Sequence, residues 1–270
     1  MSSDHRWLKL MVRLAGTGIA LFWVIGQVEW SVVIAAMRQL PRWAYAVPAA
    51  AVMTNTLIQA IRICLVLRTM GQDCSVYTLL DCLFRGSFVG LALPSGGNEV
   101  AKCALIASSG PGLSKAVAAM ASVRLLQLPT WIVLLGWALI SGVLTDAPIL
   151  QMASMLFIVA ALGLLVLVGF VQSQVPTWFP AKTHIEQLRD DVLALRSQRS
   201  VIAGVAGLGL VVGILNCTVV WLLLRAADFE FGMFFAMAFV PAADVLIWLP
   251  ISISGVGVRE SAFTMALAPW

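Results

Sequence analysis

Six stretches of this chain stay apolar for about the 20 residues that a helix needs to cross a bilayer: 8–28, 43–67, 117–144, 149–171, 201–224 and 231–249. Of the 270 residues, 61% are hydrophobic and 11% are charged. An average soluble domain is about 25% charged. So little polar surface cannot clothe a globule of this size in water. A soluble enzyme, a disordered chain and a collagen-like chain are excluded. The apolar runs are continuous and do not alternate with period two, which argues against a transmembrane β-barrel. The expected fold is an all-α polytopic membrane protein in which lipid is the outer solvent.

The net charge is +4. Its cations lie singly at the ends of apolar runs, with no basic stripe and no interleaved aromatics, so nucleic acid is not an expected partner. Positive-inside topology and contact with anionic headgroups account for the charge. Cys64, Cys74, Cys82, Cys103 and Cys217 form no C-x-x-C pair, and His5 and His184 are far apart. Metal and haem ligands are therefore scarce, and no cofactor is expected. The cysteines read as small apolar fillers.

Loop charges give an orientation. Arg6, Lys9 and Arg13 precede the first run, which reads as an uncleaved span. Lys182, Arg189, Arg196 and Arg199 lie in the polar stretch 172–200. The turns at 142–148 and 226–230 carry Asp146, Asp228 and Glu230 instead. This alternation places the N-terminus in the cytoplasm. Residues 172–200 then form a cytoplasmic amphipathic loop within a single domain spanning 1–270. Arg38 and Arg42 break the pattern, and an interfacial helix with Trp30 and Trp43 would hold them.

Two further apolar segments are interrupted. Residues 77–93 carry Asp81 and Arg85 and end in Leu93-Pro94-Ser95-Gly96-Gly97-Asn98-Glu99, with Lys102 close behind. Residues 249–260 read Leu-Pro-Ile-Ser-Ile-Ser-Gly-Val-Gly-Val-Arg-Glu, containing Pro250, Ser252, Ser254, Gly255, Gly257, Arg259 and Glu260. Each is an apolar run, then proline, then small residues, then an acid and a base. They would be approached from opposite faces, the signature of an inverted repeat of broken helices. Irregular backbone at membrane depth survives only where protein or a wet cavity satisfies it. About six spanning helices plus two re-entrant or broken segments are thus expected.

A helix that restarts after Gly97, capped near Asn98, would present free N–H groups and a positive dipole end to an anion. Gly and Pro punctuation in a surface loop is the plainer alternative. Arg62, Arg85, Arg124 and Asp244 are further candidate cavity charges, because an ionisable group in hydrocarbon needs a partner or water. Glu99 with Arg259, or Asp244 with Arg124, could pair across the bundle. Such pairs could equally serve packing alone, and Arg62 could snorkel to the interface. Arg259 leads for a phosphate contact, because a guanidinium binds phosphate in a fork. Ser252 and Ser254 suit local capping.

These residues carry a family likeness. The block 249–262, LPISISGVGVRESA, resembles the P-I-S-x-x-G-x-G-x-R-E block of the lysylphosphatidylglycerol synthase transmembrane region, also called the flippase-like domain family. The block 88–105, FVGLALPSGGNEVAKCAL, is similar to that family's Leu-Pro…Gly-Gly-Asp-x-x-Arg block. Weaker likenesses lie at 60–71, around Arg62, and at 122–126, around Arg124. Glu99 and Lys102 stand where the family usually has Asp and Arg, and Val123 stands where an acid precedes the arginine. Family members usually continue with further apolar helices beyond the point corresponding to Trp270, so a complete transporter and a shortened member are both open.

The resemblance implies movement of a lipid or lipid-linked headgroup across the cytoplasmic membrane. Phospholipid, aminoacylated phospholipid and polyprenyl phosphate are all open as substrates. An intramembrane lipid-modifying enzyme, with Glu99, Asp244 or Glu260 as base, is the alternative. A non-catalytic partner of another membrane protein is a third. No nucleophile elbow, P-loop or paired-histidine helix is present, which favours transport over catalysis. Membrane lipids are the expected partners, with a second copy of the chain or another membrane protein also to be considered.

Overall fold

The computed structural model of the protein describes residues 30–91, 97–141, 198–229 and 232–248, with the helical residues 151, 155, 158, 159 and 161–163. In chain order the helices are α1 (Trp30–Gln39), α2 (Trp43–Thr69), α3 (Val76–Leu91), α4 (Gly97–Ser108), α5 (Leu113–Leu125), α6 (Leu128–Ile140), α7 (Arg199–Ala226) and α8 (Met233–Trp248). The protein is an all-helical membrane protein. Among the described residues, three helical stretches are long and apolar enough to cross a bilayer: Trp43–Thr69, Leu113–Ile140 and Arg199–Ala226. The expected first span and most of the fourth lie outside the described residues, as does the 172–200 loop apart from its last three residues. At ten residues, about 15 Å, α1 is too short to span.

The sequence reads 117–144 as one run. The helix begins earlier, at Leu113, and turns at Leu126–Gln127 near its middle. Pro129 explains the break, since it has no N–H for the carbonyl four residues back. On α7 the buried face is Val205, Gly209, Gly213 and Cys217, one small residue per turn. A stripe of this kind lets neighbouring backbones approach closely. A Cβ at Gly213 would lie 3.0–3.3 Å from Leu134, Thr130 and Trp131 of α6.

The interrupted segment 77–93 becomes one arm of a helical hairpin. Going down α3 and back up α4, Cys82 faces Leu105, Gly86 faces Lys102 and Gly90 faces Asn98. The two arms are therefore antiparallel, with Gly86 and Gly90 one turn apart on the seam. Both open ends lie at the same face. There the Lys115 ammonium of α5 donates to the Met70 carbonyl at 3.1 Å. The described ends of α3 and α4 that join the rest of the chain lie on one side of the hairpin. Its counterpart beyond Trp248 lies outside the described residues.

At the same end, Cys64 of α2 is bonded to Cys74 of the α2–α3 loop, with Cα atoms 5.8 Å apart. Two of the five cysteines are thus a cross-link, where the sequence reading made all five apolar fillers. Cys82, Cys103 and Cys217 are free, and Cys82 and Cys217 are buried.

Two apolar cores result. One joins α2 to α5 and the start of α7, around Ile63, Leu67, Leu83 and Ile106. The other joins α6, α7 and α8, around Trp131, Leu135, Phe235 and Phe239. Helices α2 and α7 are also joined by a polar pair, in which Asn55 Nδ2 donates to Asn216 Oδ1 at 2.5 Å. Asn55→Leu leaves the Asn216 amide without that partner in an apolar setting. A loss of about 0.6–1.7 kcal/mol is expected. The double change Asn55→Leu/Asn216→Leu should recover most of it. Thermal unfolding of the three purified variants in detergent checks this.

Candidate functional site

The hairpin places acid and base where α4 restarts. The helix begins at Gly97, one residue before the expected cap, and Glu99 falls in its first turn, where a carboxylate suits the positive dipole end. Lys102 lies one turn on, and its ammonium is 3.8 Å from Glu99 Oε1. Arg124, in the last turn of α5, donates from Nη2 to the same oxygen at 2.5 Å. One carboxylate therefore gathers two cations from two helices. The Glu99 and Arg124 side chains are about two-fifths exposed, at 39% and 40%. Lys102 is buried at 7%, its stem laid over Gly86. A Cβ at Gly86 would lie 2.6 Å from the Lys102 Cγ, and one at Gly90 would lie 2.6 Å from the Asn98 Cα. Only glycine lets these helices close. The Asn98 Oδ1 is buried and has no hydrogen-bond partner among the described residues.

A second polar node lies deeper. Arg62 of α2 is 4% exposed. Its Nη1 donates to Gln127 Oε1 at 2.7 Å and its Nη2 to the Val123 carbonyl at 3.2 Å. The Gln127 amide in turn donates to the Gly209 carbonyl of α7 at 3.1 Å. The node ties together three spans, at the mid-span turn between α5 and α6. Arg62 therefore points inward and does not snorkel. Among the described residues the ion pairs are Asp81–Arg85, Glu99–Lys102 and Glu99–Arg124. Among the described residues, Arg62 is held by neutral oxygens. A buried cation costs several kcal/mol to desolvate when no anion compensates it.

Of the residues singled out from sequence, the structure brings Gly97, Asn98, Glu99, Lys102 and Arg124 together. Glu99 and Arg124, assigned to separate pairs from sequence, bond to each other. Arg85 lies on the outer surface of α3 with Asp81, 2.8 Å away and one turn back. Asp244 lies on α8. Pro94, Pro250, Ser252, Ser254, Gly255, Gly257, Arg259 and Glu260 lie outside the described residues. Sequence reasoning missed Gln127, Gly209, Asn55 and Asn216. The signal for Gln127 was an amide beside a proline in the centre of an apolar run, and for Asn216 an amide eight residues inside one.

The arrangement suits phosphate. A guanidinium offers a fork to two oxygens, an ammonium adds a point charge, and Glu99 holds both in position. The family model described as "Lysylphosphatidylglycerol synthase TM region" matches residues 10–270. No curated protein and no solved structure matches the chain.

Proposed function

Because the chain belongs to the lysylphosphatidylglycerol synthase transmembrane-region family, membrane proteins tied to the handling of lipid headgroups, we propose that it moves an anionic lipid or lipid-linked headgroup across the cytoplasmic membrane. The observation that carries this reading is the charged end of the hairpin. Glu99, Lys102 and Arg124 meet where a helix restarts, in a chain whose outer solvent is hydrocarbon. Charges so placed are costly and mark the path of polar cargo. The headgroup passes along the charged groups while the acyl tails stay in lipid.

In this reading the N-terminus lies in the cytoplasm, on the side that the positive-inside pattern of the loops favours. That orientation puts the open ends of the hairpin at the cytoplasmic face.

Purified protein in vesicles holding fluorescent phosphatidylglycerol should carry the label between leaflets faster than protein-free vesicles. Dithionite quenching reads the transfer. Equal rates with and without protein, for phosphatidylglycerol, its aminoacylated form and a polyprenyl phosphate alike, would overturn the reading.

A further inference from the structure

We propose that Arg62 is a second, deeper receiving point for phosphate, reached from the Glu99–Lys102–Arg124 cluster and closed by Gln127 when empty. The inference rests on the reading that the chain handles an anionic headgroup.

The first observation is charge. A guanidinium sits in the interior of the bundle, held by an amide and a backbone carbonyl. An intramembrane cation of this kind calls for an anion as its working partner. The second is unused capacity. Among the described residues, Arg62 Nε is buried without an acceptor, and the hydroxyl of Ser122, on the residue before the Val123 carbonyl that Arg62 bonds, is buried without a partner. Phosphate oxygens satisfy both kinds of donor. The third is position. Val123 and Arg124 are consecutive, so the Arg62 guanidinium meets α5 one residue from the arginine that binds Glu99. The two arginines therefore engage α5 at consecutive residues. The fourth is the seam. Leu126 packs with the first apolar core and Leu128 with the second, and Gln127 stands between them. A Cβ at Gly209 would lie 2.8 Å from Arg62 Nη2 and 2.9 Å from Gln127 Oε1, so α7 lies directly against the node.

The chemistry follows. A phosphate mono- or diester displaces Gln127 Oε1 from the guanidinium and takes the fork, while Gln127 keeps its bond to the Gly209 carbonyl. No bond is made or broken covalently, and no proton moves. Gln127 competes with the ligand, so the two side chains have opposite effects on affinity.

Native mass spectrometry of the full chain in detergent, titrated with dihexanoyl phosphatidylglycerol, tests this. Arg62→Gln should weaken binding about tenfold or more, and Arg62→Lys less, since it keeps charge and loses the fork. Gln127→Leu should strengthen binding. Dihexanoylglycerol, which lacks phosphate, should bind all variants alike. Inorganic phosphate that competes in an Arg62-dependent way would assign the site to free phosphate, and failure to compete would assign it to the headgroup. Unchanged affinity in a folded Arg62→Gln protein would overturn the proposal. So would equal weakening by Arg62→Gln and Gln127→Leu, which marks a packing unit. If Arg62→Gln does not fold, the sign of the Gln127→Leu effect decides. Wild-type protein that binds phosphate through Arg62 and moves no lipid would overturn the transport reading alone.

Discussion

Gly90→Ala is expected to destabilise the purified protein by about 1–3 kcal/mol and to stop lipid transfer. The added methyl would lie 2.6 Å from the Asn98 Cα and 2.7 Å from its Cβ. A flexible side-chain end could swing away, but these atoms belong to the start of α4 and cannot move without parting the hairpin. Because α4 carries Glu99 and Lys102, a small separation also pulls both from Arg124. Gly204→Ala is the matched control. Gly204 is exposed on α7, with nothing within 4 Å of its Cβ position. There the same methyl should raise helix stability by up to about 1 kcal/mol. Melting curves in detergent should therefore move in opposite directions for the two glycines. A Gly90→Ala protein as stable as the wild type would mean that the close approach of α3 and α4 is not needed.

The second large effect concerns the sign of charge. Arg124→Gln removes the fork that meets Glu99 and leaves one cation, Lys102, beside the carboxylate. Affinity for phosphatidylglycerol should fall about tenfold or more, as expected when a charge-assisted hydrogen bond of about 1.5–3 kcal/mol is lost. Glu99→Gln does the reverse. It removes the negative charge that both cations share, so an anion should bind more tightly and leave more slowly. Transfer should slow in both variants, for opposite reasons. Binding and dithionite rates measured on the same preparations separate the two. Glu99→Gln that weakened binding would show that the carboxylate itself contacts the cargo.

The helices that cross the membrane were legible because their apolar runs have nearly the length of the bilayer. Runs at 43–67 and 201–224 became helices two residues longer at the C-terminal end, and α7 also starts two residues earlier. The break expected at Pro94 lies outside the described residues, but the helix expected to carry Asn98 and Glu99 is there as α4. The start of α5 was not legible. The apolar run begins at residue 117, yet the helix begins at Leu113 and its Lys115 is spent on the Met70 carbonyl just past the end of α2. Nor could the sequence say which charges meet. Glu99 and Arg124 are 25 residues apart, and Arg62 and Gln127 are 65 apart. Pairing at such separations follows from how the hairpin and the spans pack, and one sequence does not report that. Arg62 at its position could as well have reached outward. What turns it inward is the stripe of small residues on α7, with Gly209 leaving room for the guanidinium.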